Sequence, residues 1–522
     1  IQRLASDDFQ GRLPGSEGEA LTMKYLETQF RGVGLQPGST NGSYFQRVPL
    51  VGITANPETE LRFAGAGQRM ALQYGEEFMG WSRRLVEESV LQDSEVVFVG
   101  YGVQAPEFGW DDFKGEDLQG KTLIMLVNDP PVPDSAQPSK LDEKVFGGKA
   151  MTYYGRWTYK YEMAARKGAH GCFVIHETEP AGYPWEVVRG SWSGEQFDLI
   201  APDRNMSRCA VEGWLTRAAA EKLFRMAGWN LEALKEEAID PGFEPVALHV
   251  KASWSVRNSL RTVDSSNVLA RLEGSDPMVK DEYVVYMAHW DHLGKDSSLE
   301  GDTIYNGAID NATGTAGLLE IAAAFAQLET APRRSLLFLA VTAEEQGLLG
   351  SSYYTENPVY PLEKTLAALN MDAMNVWGPT SDVTVVGMGN STLEDVLEAV
   401  ARDAGRTVRP DPEPEKGYFY RSDHFSFAKQ GVPALYCESG VSYLGRPEQW
   451  GLERRDEYIR RYYHKPSDEF DPNWDLTGLV EDLQLLFRVG YRVANQEQYP
   501  EWKAGTEFKS KREEMLKAVS GN

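Results

Sequence analysis

The feature that most constrains the fold is an alternation that runs from about residue 258 to residue 496. DEYVVYMAHW, RRSLLFLAVTA and GVPALYCES read as strands, and LEKTLAALNMD leads into another. TGTAGLLEIAAAFAQL, TLEDVLEAVARDAG and LTGLVEDLQLLFRVGYRVANQ read as helices. Apolar strands without polar alternation are buried on both faces, and helices between them supply the crossovers a parallel sheet needs. The expected fold is therefore α/β, with a mostly parallel central sheet sandwiched by helices. In such sheets ligands gather beyond the carboxyl ends of the strands, so polar residues there carry the functional information.

A chain of 522 residues is too long for one hydrophobic core. Near the start, Leu21, Tyr25, Leu26 and Phe30 recur at helical spacing before Gly34, and residues 45–95 read as strands and turns. A second block follows, with strand-like SEVVFVGYGV and KTLIMLVND, then a helix, turn and strand in YKYEMAARKGAHGCFVIHE. Trp214–Leu223 reads as a further helix. The expected division is 1–92, 93–253 and 254–522, the first and last forming one domain interrupted by an α+β insert rich in strands.

The net charge of −25 disfavours nucleic acid and anionic lipid as partners. No apolar run approaches the roughly 20 residues of a membrane span. Three cysteines do not make a disulfide framework; Cys172 and Cys437 sit in apolar strand-like runs as core residues, and Cys209 alone is left open to a disulfide.

Acidic and imidazole groups cluster where strands end. MAHWDHLG carries His289, Asp291 and His292; YNGAIDNATGT carries Asp310; VTAEEQGLLGS carries Glu344 and Glu345; LNMDAMN carries Asp372; YYHKPSDE carries Tyr463 and His464. Each has a bland reading: a structural His, a solvated Glu-Glu pair, an Asp in a turn or capping a helix. Context outweighs it, because EE directly follows LLFLAVTA and HWDH directly follows VVYMA. Imidazole and carboxylate are zinc ligands, and two zincs about 3.5–4 Å apart need a bridging carboxylate, terminal ligands on each side and a separate general base. Adjacent residues at a strand end point in different directions, so one member of the Glu pair can bind metal while the other faces the water. Asp291, two residues after His289, is placed to accept the second imidazole N–H.

This ordered set, together with GRLPGSEGE near the start and RSDHFSF late in the chain, resembles the di-zinc exopeptidase family of secreted bacterial leucine aminopeptidases. Glutamate carboxypeptidase and the transferrin receptor ectodomain are relatives. The resemblance covers residues 1–95 and about 258–496. It implies that His289 and Asp372 hold one zinc, Glu345 and His464 the other, and that Asp310 bridges them. Glu344 would be the general base and then the acid, with Asp291 orienting His289. A cis peptide would follow Asp310. Tyr463 would help hold an oxyanion and Arg421 would contact substrate, while Asp423, His424 and His292 are expected in supporting roles. The middle block resembles a protease-associated domain in GYGV, DLQGKTLIMLVND and AARKGAHGCFVIHE, apart from a Trp/Tyr/Pro-rich stretch at residues 153–192. That stretch and residues 408–420 are candidates to line the cleft.

The expected activity is removal of N-terminal residues from peptides, with two zinc ions per chain and peptides as the partners. A dipeptidase or carboxypeptidase of the same family is the first alternative, since Arg421 is compatible with a free carboxylate. A glutaminyl cyclase, with its single zinc, and a binding-only protein that has lost ligands are weaker readings, because the ligand set is intact. A secreted or periplasmic location is expected from family habit and from a chain that starts at Ile1, not from a visible signal segment.

Overall fold

The computed structural model describes residues 1–520 and divides into two compact units. Unit 1 comprises residues 1–49, 263–412 and 421–522; unit 2 comprises residues 50–262 and 413–420.

Unit 1 is built on a mixed sheet with a parallel centre. Its strands are β1 (Val246–Leu272, of which the last residues belong here), β2 (Tyr283–His289), β3 (Ser335–Val341), β4 (Thr365–Asn370), β5 (Asp382–Val386), β6 (Thr407–Pro410) and β7 (Ala434–Ser439). The order is β1-β3-β2-β4-β7-β5-β6. Strands β3, β2, β4 and β7 run parallel, whereas β1 pairs antiparallel with β3 and β5 antiparallel with β7; β6 runs parallel to β5. Every residue of β2, β3 and β4 is buried, so both faces of the sheet centre are covered, as the unbroken apolar runs require. The register places His289 opposite Val341, which brings the ends of β2 and β3 level.

Helices α1 (Glu17–Gly32), α2 (Gly314–Ala326), α3 (Leu393–Asp403) and α5 (Thr477–Asn495) share one core with this sheet; α4 (Trp450–Arg461) lies between α3 and α5 in sequence. Leu26 and Phe30 from α1, Leu318 and Phe325 from α2, and Val489 from α5 meet Tyr286 and Phe338 there. Ser16 caps α1 by accepting from Glu19 N, which explains why a helix starts at that point in GSEGE. Tyr286 donates to Leu486 O at 2.9 Å, and a Cβ on Gly490 would lie 1.9 Å from its hydroxyl oxygen. A glycine in the middle of α5 is therefore a packing requirement.

Unit 2 is rich in strands. Thr122–Leu126, Gly171–His176 and Val211–Thr216 form a parallel trio, with Trp157–Arg166 and Arg217–Met226 among its helices. Here the structure differs from the sequence expectation twice. Residues 50–92 group with the middle block, because Phe78–Trp81 pairs with Glu212–Leu215 and Glu60–Gly65 lies against Val250–Ser253. Buried strands need those backbone partners, and the partners are more than a hundred residues downstream. The expected helix at Trp214 begins only at Arg217: Trp214 is a fully buried strand residue, and Thr216 caps the helix by accepting from Ala219 N. All three cysteines are free and buried. No helix among the described residues is long and apolar enough to cross a membrane.

Asp112 of unit 2 is 2% exposed and accepts from Val103 N and Trp110 Nε1. Burial pushes its carboxyl up to about 6. Such a group binds its proton more tightly when folded, so its contribution to stability is present below pH ~4 and is lost as pH rises through ~6. Asp112→Asn is expected to flatten that decline, by up to roughly 3 kcal/mol, in urea melts taken from pH 4 to 7. An unchanged pH slope would remove the assignment.

Candidate active site

The carboxyl ends of β2, β3 and β4 deliver His289, the Glu344–Glu345 pair and Asp372 to one place. Asp310 arrives from the turn that leads into α2, and His464 from the turn after α4, where its φ is 56°. All six residues lie in unit 1.

His289 is 1% exposed, and its Nδ1 lies 3.2 Å from the main-chain oxygen of Asp291. A proton on Nδ1 satisfies that oxygen, and Nε2 faces the carboxylates of the cluster, which raise the imidazole pKa well above its ordinary value despite burial. Nε2 is 3.2 Å from Asp310 Oδ1, 3.2 Å from Asp372 Oδ1 and 3.8 Å from Glu344 Oε2. His464 Nε2 lies 3.3 Å from Asp310 Oδ2 and 3.0 Å from Glu345 Oε2. The two oxygens of Asp310 thus face two different imidazoles. Donor atoms of His289, Asp310 and Glu345, and of His289, Glu344 and Asp372, group closely enough to hold a metal ion; both groups are in unit 1.

Each donor is braced. The Asp291 carboxylate sits 3.8 Å from His289 Nδ1 and accepts instead from the backbone N–H groups of Glu344 and Glu345, at 3.1 and 3.4 Å. It therefore anchors the turn that carries the Glu pair, while its main-chain oxygen orients the imidazole. The N–H groups of Ile309 and Asp310 donate to Asp468, which Tyr458 also approaches through its hydroxyl. The Asp310–Asn311 peptide is cis. Asn311 donates to Met371 O and accepts from Gly314 N, lacing the Asp310 and Asp372 turns together. Ser422 donates to Asp372 Oδ2 at 2.6 Å and accepts from Asn370. His292, fully buried, holds Glu345 Oε1 at 2.5 Å through Nδ1. Gly307 permits that approach: a Cβ there would lie 2.5 Å from the His292 ring.

The charges separate the two glutamates. Burial, with Glu345, Asp372 and Asp423 nearby, pushes the Glu344 carboxyl well above its ordinary range despite His289. Burial and Asp310 act upward on Glu345 too, but His464 and His292 outweigh them and hold it at about 2. The same buried setting thus favours the anionic form of Glu345 and the protonated form of Glu344, because the imidazoles lie beside one and the carboxylates beside the other. Burial also pushes Asp291 up to about 8.

Tyr463 is 43% exposed overall and its ring stacks on His464 at 3.8 Å. Burial of its hydroxyl end, followed by the charges of Asp310, Glu345 and Glu344, raises that hydroxyl well above its ordinary pKa, so it remains a donor. Arg421 is half-buried and immediately precedes Ser422. Asp423 and His424 are fully buried. Sequence reasoning did not single out Ser422, Asp468 or Arg12, though all three stand inside motifs quoted above.

Residues 267–487 match the model of Peptidase family M28. That stretch, less than half of the chain, is similar to the M28 family. Aminopeptidase NAALADL1 of Mus musculus is 34% identical over 178 residues, which are 32% of this chain and 21% of the mouse protein. Leupeptin-inactivating enzyme 1 of Streptomyces exfoliatus is 30% identical over 176 residues, 33% of this chain and 38% of that enzyme. The M28 matches thus span about a fifth to two fifths of these relatives. The solved aminopeptidase from Aneurinibacillus sp. strain AM-1 aligns over 95% of this chain and 94% of its own, with a TM-score of 0.50 and 18% identity. At that identity the likeness is one of fold alone.

Asp468→Ala would strand the buried N–H groups of Ile309 and Asp310 at about 1–3 kcal/mol each. The expected loss is about 2–5 kcal/mol in denaturant melts of metal-stripped protein. Wild-type stability would show that Asp468 does not support the turn.

Proposed function

We propose that the chain is a zinc-dependent exopeptidase that removes N-terminal residues from peptides and holds two zinc ions. The observation that carries this reading is Asp310, whose two carboxylate oxygens face His289 and His464 at 3.2 and 3.3 Å. A carboxylate so placed fits the bridge of a two-metal site, with Asp372 beside His289 and Glu345 beside His464 as terminal donors. The imidazole and carboxylate donors suit zinc. When bound, the metals supply Lewis acidity, polarising the scissile carbonyl and lowering the pKa of water.

The chain's own groups do the rest. Glu344 accepts the proton of the attacking water and returns it to the departing amine. Asp291 fixes His289 and the Glu-bearing turn. Tyr463 donates its hydroxyl to the developing oxyanion. Acidic groups near the centre suit the substrate's α-ammonium, and Arg421 is a substrate contact. The middle of unit 2, with residues 93–253 as its sequence counterpart, is read as a protease-associated domain, and the protein as secreted or periplasmic. A carboxypeptidase or dipeptidase reading is kept for Arg421 alone. It is separated by comparing an aminoacyl anilide with a peptide that bears a free carboxylate.

Glu344→Gln is expected to lower kcat by about 10²–10⁴ while zinc content stays at about two per chain. Full activity, or zinc loss in this variant, would sink the general-base role; fewer than about two zincs in the wild type would sink the bridging role of Asp310. Tyr463→Phe is expected to lower kcat by about 10²–10³ with little change in KM. A rise in KM alone would make Tyr463 a binding residue instead.

A further inference from the structure

Arg12 is 1% exposed, and burying a guanidinium is costly unless its N–H groups find acceptors. Here the acceptors are all main-chain carbonyls. Nε donates to Trp290 O at 2.8 Å, Nη1 to Leu4 O and Asn306 O at 2.7 Å each, and Nη2 to Gly307 O at 2.9 Å. Arg12 O in turn accepts from His292 N at 3.4 Å. Gly11 lets this segment approach: a Cβ there would lie 2.3 Å from Gly294 O and 2.7 Å from Tyr305 O.

Those acceptors are not scattered. Trp290 stands between His289 and Asp291, and Asn306 and Gly307 open the turn that presents Asp310. One planar fork therefore joins the turn after β2 to the turn before α2. Its charge lies in the field of Asp291, Asp310, Asp468 and Glu345. A lysine could carry that charge, but its single ammonium cannot span carbonyls on three separate segments.

We propose that Arg12 is a positioning residue for the metal centre: it sets the separation of His289 from Asp310 by clamping the turns that carry them. The proposal rests on the zinc reading above. It assigns the GRLPG segment at the start of the chain a direct part in building a site whose donors begin 277 residues later, at His289.

The test is zinc affinity of the full chain, measured on metal-stripped protein by competition with a chromophoric chelator, beside melting temperatures with and without zinc. Arg12→Lys and Arg12→Met are expected to weaken zinc binding about 10–100-fold, as loss of a ligand's supporting partner does. The zinc-induced rise in melting temperature should shrink to match. Leu26→Ala, which opens a cavity in the core under α1 without touching either turn, should lower the zinc-free melting temperature and leave zinc affinity unchanged. Wild-type zinc affinity in Arg12→Lys would overturn the proposal, as would an equal loss of affinity in Leu26→Ala. A wild-type chain that binds no zinc would bring down the metal reading itself, a result distinct from either.

Discussion

Repulsion among buried carboxylates is the constraint on which the site depends. Asp291, Asp310, Glu344, Glu345, Asp372 and Asp423 crowd around His289, His292, His464 and Arg12. Removing charge of one sign from water at such density is prohibitive unless each oxygen is met by a donor or a cation. The surroundings answer residue by residue. Asp291 receives two backbone N–H groups, Asp372 a serine hydroxyl, and Glu345 and Asp310 imidazoles. The donor atoms of His289, Asp310, Glu345, Glu344 and Asp372 are thereby held close enough together to suit a metal cation.

The sheet makes that concentration possible. Parallel strands end on the same side, and the level ends of β2 and β3 place His289 beside the turn that bears the glutamates. Because the strands are buried on both faces, their ends are held by the whole core of unit 1, and small errors in one turn are not free to accumulate in the next. Fine positioning is then left to short-range clamps such as Asn311, Asp468 and Arg12, most of which act on backbone atoms.

That division explains what could be read from the amino acids alone. The unbroken apolar runs at Tyr283–His289 and Ser335–Val341 announced buried parallel strands, and the polar residues following them announced the site. Hydrophobic pattern is a local signal. Strand partnership is not: the sequence alone places residues 50–92 with the first block, whereas their pairing partners lie at residues 212–215 and 250–253. Trp214 reads as helical in the sequence because a capped helix begins three residues after it, at Arg217. Arg12 and Asp468 escaped notice because a side chain that serves main-chain carbonyls or amides leaves no signature in its partners' identities. The part played by Asp291 was half visible: its place beside His289 follows from spacing, while the direction of its carboxylate depends on where the β3 turn lies.

The spread of the cluster along the chain has a consequence for the life of the molecule before it is complete. His289 and His464 are separated by most of unit 1, and between them stand β3, β4, β5, β6 and β7. Contacts over such distances form late, after the intervening loop entropy has been overcome. In the folded chain Asp310 faces His289 through one oxygen and His464 through the other, and His464 lies 154 residues further along the sequence than Asp310. His464 is the last of the six clustered residues to be translated, so the arrangement around Asp310 is complete only after most of unit 1 has been made.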